Sequence, residues 1–179
     1  MPANDTSASN GKKPSYKSRK KNDSLENFGH LQPQAVELEQ AVLGALMIER
    51  DAYYQVSEIL RPESFYDNRH QIIYEAIRRL NLEEKPVDIL TVTEALRNTN
   101  QLEEAGGPFY ITQLSGMVAS SAHIEYHARI IAQKATARAL ISYTSGIQTK
   151  AFDATTDIDV LMQEAEGKLF ELSQTNMKK

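Results

Sequence analysis

Two histidines four residues apart, in His123-Ile-Glu-Tyr-His127, are the spacing with the most obvious chemical potential in this chain. On a helix both imidazoles lie on one face, as they do where zinc metalloproteases hold their ion. Those proteases need glutamate directly after the first histidine to act as base; here Ile124 stands in its place, and no third ligand is evident. Exposed polar histidines are the better account. Glu166-Gly167-Lys168-Leu169 is the nearest approach to a phosphate-cradling loop, but it lacks the earlier glycine and the hydroxyl after lysine, and it falls inside a helical pattern. No nucleotide site follows. The doublets Glu37/Glu39, Glu103/Glu104 and Glu164/Glu166 belong to separate helices and read as solvated faces rather than an acid–base pair. His70 opens a helix, where packing or capping outweighs catalysis, and turn geometry accounts for Gly106-Gly107-Pro108. With no cysteine there is neither a disulfide framework nor a thiolate metal site. The residues point to no catalytic site, no metal and no cofactor.

The elements that carry these residues are helical. Pro33 suits a first helical turn, after which Ala35, Leu38, Val42, Ala45 and Leu46 share a face. Tyr53, Val56 and Leu60 mark a second short helix that Pro62 ends. Asp67 or Asn68 can cap a third, with Ile72, Ile73, Ala76, Ile77 and Leu80 inward. Asp88 caps a fourth, with Thr91 and Glu94 as an alternative capping box, and Pro108 opens a fifth that buries Tyr110, Leu114 and Met117. Nowhere does a useful stretch alternate with the period of a strand. The predicted fold is all-α: a compact bundle of about five to six short helices over 31–120, then a long antiparallel helical hairpin over 121–174.

That hairpin begins with a proline-free pattern from His123 to Phe152, roughly 45 Å at helical rise. A short link and a cap at Thr156 lead into a second long helix with Ile158, Leu161, Ala165, Leu169 and Leu172 on one stripe. Apolar residues outside the seam, such as Ile124, Val160 and Phe170, need a partner: a second hairpin related by a two-fold axis, or the head itself. The residues expected to build the hairpin seam and its self-association surface are Ile130, Ile131, Leu140, Ile141, Ile147, Leu161, Leu169 and Phe170, with Ile141→Asp expected to disrupt folding or pairing.

The net charge of −4 conceals a split. Residues 1–30 carry six basic side chains against three acidic ones, a net +3, which leaves −7 on the remainder. The arm is poor in aliphatics and is predicted to be disordered. A solubilising tail is its simpler role, with weak contact to DNA phosphates the alternative. The acidic body argues against a helix-turn-helix reader of duplex DNA. Composition is that of a soluble protein, 41% hydrophobic and 25% charged, without a signal peptide or a bilayer-spanning run, and a cytoplasmic location is expected.

Six pieces in order give the chain a family likeness: Ala35-Val-Glu-Leu-Glu-Gln-Ala-Val-Leu-Gly-Ala45, Glu63-Ser-Phe-Tyr66 with His70, Pro86-Val-Asp88 with Thr91, Gly106-Gly107, Tyr126 to Ile131, and Arg138-Ala-Leu-Ile141. With that order and spacing, residues from about Gln32 to Leu172 resemble the N-terminal domain of the bacterial replicative DNA helicase of DnaB type. Leu38, where the family more often has a smaller residue, and Glu63-Ser64, in place of an acidic residue before Phe65-Tyr66, are departures. The resemblance implies a non-catalytic collar: hairpins pair as dimers, three dimers sit above a hexameric ring of motor domains, primase docks on the collar, and a helicase loader acts on the ring. ATP and Mg would belong to the motor domain, expected beyond a linker that starts near 175–179, and DNA would be met mainly by the parent ring. The alternative is a free-standing adaptor or decoy that regulates such a helicase in trans. No membrane partner is expected.

Overall fold

The helix signals are realised as side-chain caps and left-handed stops. A computed structural model of the chain describes residues 31–117 and 123–177, with side chains described as far as 174; the basic arm over 1–30 lies outside the described residues. Seven α-helices and one 3-10 turn appear among these residues, and no strand. The expected all-α class is correct.

Helix α1 runs Val36–Ile48, one turn later than Pro33 implied. Ala35, at φ −149° and ψ 59°, is outside the helical region, so the chain reaches α1 extended. Helix α2 is a single short piece, Ala52–Val56, and the buried Leu60 is reached through a turn after it. Pro62 therefore does not stop α2; it opens the 3-10 turn Pro62–Ser64. Asp67 caps α3 (Asn68–Leu82) by accepting the Arg69 N–H at 2.9 Å. In α4 (Ile89–Asn98) the capping box is Asp88 with Thr91: the Thr91 N–H donates to Asp88 Oδ1 at 2.8 Å, and the Asp88 N–H donates to Thr91 Oγ1 at 2.9 Å.

Gly106 precedes α5 (Gly107–Gly116) with φ +99°. A Cβ there would lie 2.8 Å from Tyr110 Cδ1, so both the backbone and the packing call for glycine. Tyr110 and Leu114 are buried as expected, whereas Met117 lies past the end of α5 and is exposed.

Helix α6 spans Ile124–Phe152 without a break at Gly146, and α7 spans Ile158–Met177. The cap of α7 is Asp157 rather than Thr156: its Oδ1 accepts the Asp159 N–H at 2.9 Å and the Val160 N–H at 3.3 Å. The two helices run antiparallel, pinned by the Tyr143 hydroxyl donating to the Glu164 carbonyl at 3.1 Å and by a Lys150–Glu164 ion pair.

One core unites α1 to α5 with the first turns of α6. Leu43, Ile73, Tyr74, Leu96, Ile111 and Leu114 are fully buried, together with Ile124, Ala128 and Ile131 of α6. Of the two coverings considered above for Ile124, a second hairpin or the head, the head supplies it. The placement of Ile124 in the first turn of α6, where that helix still lies on the bundle, is the reason. Beyond Ala132 the burial of α6 falls away, and α7 contributes a single buried hydrophobic side chain among the described residues, Leu161.

Candidate assembly surface and the polar cluster behind it

Exposed large apolar side chains occur on the head, as at Tyr54, Leu82, Leu90 and Phe109, and in a longer series along the hairpin. Leu140 and Ile141 on α6 are about half exposed, and Phe152 at its end is 83% exposed. On α7 Val160 and Phe170 are 60% and 66% exposed, with Ile158, Met162 and Leu169 also open to solvent. Single exposed hydrophobics are ordinary, whereas a contiguous apolar patch is the kind of surface that partners cover.

The eight residues expected at the hairpin seam and surface fall into three groups. Ile131 packs in the head core and Leu161 inside the hairpin, so both are closed off within one protomer. Ile130 and Ile147 are half-buried. Leu140, Ile141, Leu169 and Phe170 remain exposed and are the members available to a partner. Periodicity alone did not sort them, because burial depends on how far the head reaches along α6.

Arg138 marks where that reach ends. From the middle of α6 its guanidinium donates to the Pro33 carbonyl at 2.8 Å and to the Ser64 carbonyl at 2.8 Å. It also lies 5.5 Å from the centroid of the Tyr66 ring. Desolvation pulls its pKa below the ordinary arginine value, and the nearby Glu39 charge works against that shift.

Behind this contact lies a cluster that the sequence reading placed differently. Glu39, assigned above to a solvated face, is 1% exposed, because α1 is covered on that side by α3, α5 and the 65–67 segment. Its carboxylate accepts the Tyr66 N–H at 2.7 Å and the Asp67 N–H at 3.3 Å, and it meets Nδ1 of the fully buried His70 at 2.7 Å. His70 Nε2 lies 2.7 Å from the Tyr110 hydroxyl, whose oxygen accepts from Gln40 at 3.4 Å. With the imidazole proton on Nδ1, His70 donates to Glu39 and receives Tyr110, so each member has a partner. No buried side-chain polar atom among the described residues is left unpaired. Arg69 stacks 4.4 Å from the Tyr110 centroid, and its hydrogen bonds to Asp67 hold that carboxyl below the usual aspartate range. The other glutamates of the three doublets are exposed, as expected. The signal for the exception lay in His70 and Tyr110: a histidine and a tyrosine facing inward on two helices require a polar partner between them.

The remaining chemical candidates stay apart. His123 is exposed and His127 half-buried, and among the described residues no group of three or more His, Cys, Asp or Glu is placed to hold a metal ion. Gly167 lies within α7. Among the described residues no helix is long and apolar enough to cross a membrane.

A five-helix head from which a continuous helix carries a hairpin defines an all-α head-and-hairpin domain. The family described as DnaB-like helicase N terminal domain matches residues 31–133, more than half of the chain, and the protein belongs to that family. Among curated proteins it is similar to the replicative DNA helicase DnaB of Rhodothermus marinus, 49% identical over 154 residues, covering 86% of this chain and 16% of that protein. It is also similar to DnaB of Geobacillus stearothermophilus, 43% identical over 142 residues, covering 79% of this chain and 31% of the relative. The chain therefore spans less than a third of either relative, in the part that corresponds to the N-terminal domain, and it contains no motor domain. Among solved structures, the N-terminal domain of DnaB helicase from Mycobacterium tuberculosis superposes with a TM-score of 0.74 at 31% identity, covering 79% of this chain and 99% of that one. A DnaB-like replicative helicase, described with its interactions with primase, superposes with a TM-score of 0.64 at 27% identity, covering 77% of this chain and 31% of that one.

Proposed function

We propose that this domain is the assembly and docking collar of a replicative DNA helicase, pairing through the far half of its hairpin, with three such pairs in a hexamer. Primase is the proposed docking partner of the assembled collar, and a loader and DNA are proposed to engage the ring that carries it. Hydrolysis of ATP with Mg is assigned to the motor domain of the whole helicase, in the bacterial cytoplasm. The observation that carries the reading is the number of large apolar side chains left open along the hairpin, Leu140, Ile141, Phe152, Val160, Leu169 and Phe170 among them. Most of these side chains are about half exposed, so covering each contributes on the order of 1 kcal/mol, and a two-fold contact using several from each copy can offset the entropy of association. The solved relative described with its interactions with primase supports the docking role.

Sedimentation of the 179-residue chain across a concentration series tests the pairing. The expected result is a concentration-dependent dimer or higher species, with Ile141→Asp shifted to monomer. Because Ile141 is 44% exposed in the protomer, the substitution should leave monomer unfolding nearly unchanged. A wild-type chain that stays monomeric at about 100 µM, where even a weak dimer of roughly −5 kcal/mol would be populated, sinks the reading. Binding of a cognate primase C-terminal domain, measured in the same series, tests the docking role.

A further inference from the structure

We propose that Arg138 is a positioning residue that sets the direction in which the hairpin leaves the head. Its role deepens the assembly reading and rests on it for its purpose, because a two-fold pairing surface must be presented at a fixed angle.

The argument begins with where attachment ends. Ile124, Ala128, Ile131 and Ala132 anchor the first third of α6 in the core. After Arg138, α6 meets α7 rather than the head, as the Tyr143 and Lys150 bonds to Glu164 show. Among the described residues Arg138 makes the head-to-hairpin hydrogen bonds that lie farthest along α6. As a tie it is also unusual. It reaches two backbone carbonyls that are 105 and 74 residues distant in the chain, Pro33 just before α1 and Ser64 in the 3-10 turn. A planar guanidinium can hold two carbonyls at fixed directions, which a lysine ammonium does with far less angular control. Among the described residues no carboxylate forms an ion pair with it. Its nearest acid, Glu39, is engaged by His70 and by the Tyr66 and Asp67 N–H groups. The same Glu39 thereby holds the backbone of Tyr66, whose ring lies against the guanidinium, so the tie is braced from behind by the buried cluster.

Helix geometry gives the tie its reach. From Arg138 to Phe152 is about 21 Å of continuous helix, so a tilt of about 10° at the tie moves the hairpin end by about 4 Å. That displacement is comparable to the width of a side chain at a packed interface. Neither Pro33 nor Ser64 contributes a side chain to this contact, so composition at those two positions does not reveal it.

The chain has no native cysteine, which makes paired labels straightforward. Spin labels on Gln113→Cys in α5 and Ala154→Cys at the hairpin turn, both exposed, report the head-to-tip distance. The labelled chain is diluted with excess unlabelled chain so that only intramolecular pairs are read. Arg138→Gln should move the main distance by at least about 3 Å or double the width of its distribution, and Arg138→Lys should fall between it and wild type. Sedimentation of Arg138→Gln should show self-association weakened at least tenfold. A residue needed for folding alone would lower the unfolding midpoint and leave the distance peak in place, and that outcome overturns the proposal. If Arg138→Gln does not fold, Arg138→Lys decides: an unshifted, unbroadened peak overturns it. A monomeric wild type with a distance that moves on substitution sinks the collar reading while the positioning role stands. A wild type that associates with a distance that does not move sinks only the positioning role.

Discussion

The head and the hairpin use similar amounts of helix to opposite ends. In the head, five helices and the first turns of α6 close a single core in which Tyr74, Phe65, Leu43 and Ile111 are shut off from water. In the far hairpin, α7 buries Leu161 and leaves Ile158, Val160, Met162, Leu169 and Phe170 exposed. Most helical stability in proteins comes from tertiary packing of an apolar face rather than from the helix alone. The head therefore carries its own stability, whereas the hairpin has packing capacity that one protomer leaves unused. On the proposed reading, the contrast gives a domain without a catalytic constellation among its described residues a use for its architecture: presenting a surface at a defined angle.

The sharpest way to break this contrast is to attack the head where it is most committed. Glu39→Ala removes the acceptor of the Tyr66 and Asp67 N–H groups and strands His70 without its Nδ1 partner. Truncating one member of a buried charged network costs about 3–5 kcal/mol, because the remaining polar groups stay desolvated. Chemical denaturation should show that loss, against typical whole-domain stabilities of about 5–15 kcal/mol. A change below about 1 kcal/mol would mean that the cluster is wetter than its burial indicates.

This cluster also shows where sequence reasoning runs out. The caps at Asp67 and Asp88, the glycine turn at Gly106 that opens α5 and the long uninterrupted α6 were legible, because each is set by residues within one turn of the feature. Glu39 was not legible. It occupies an acidic doublet whose other member, Glu37, does face solvent, and only the arrival of α3 and α5 distinguishes the two. The tie through Arg138 was hidden for a related reason, since its acceptors are backbone carbonyls that any residue supplies. Local chemistry can be read from spacing, whereas contacts made by the backbone across 70 to 100 residues follow from the packed fold. The cap of α7 shows the intermediate case: Thr156 and Asp157 are both good caps, and the observed turn favours Asp157.

A smaller effect comes from the edge of the head, through pH. The hydrogen bonds from Arg69 hold the Asp67 pKa below its ordinary value of about 3.9. A folded-state pKa below the unfolded one means that the unfolded chain binds its proton first as pH falls. The stabilisation is therefore complete above the ordinary aspartate value and is lost as pH drops through the lower folded value. Asp67→Asn keeps an oxygen for the cap of α3 and removes the titration. The variant should be less stable than wild type near pH 7 by about 1 kcal/mol or less, and the difference should close below about pH 4. A difference that persists unchanged into acid would assign the effect to packing rather than charge.

The most direct test of the contrast uses one substitution in both regions, and it contains the smallest expected effect, that of Leu169→Ala in the dilute protomer. Leu114 on α5 is fully buried, and Leu169 on α7 is 47% exposed. Leu114→Ala removes the same atoms as Leu169→Ala, but from a site already walled on every side. Its cost should be about 2–5 kcal/mol, the sum of lost transfer energy and the cavity left behind. In a protomer held dilute enough to stay monomeric, Leu169→Ala should fall within about 0.5 kcal/mol of wild type, since the side chain has little burial to lose. Raising the concentration into the range where the chain associates should separate them differently. The Leu114 variant keeps the same deficit, whereas the Leu169 variant gains one that grows with concentration, because binding of a second copy stabilises only a protomer that can bind it. Equal costs for the two leucines under dilute conditions would mean that the hairpin is already packed within one protomer, and the distinction between a self-sufficient head and an unfinished hairpin would dissolve.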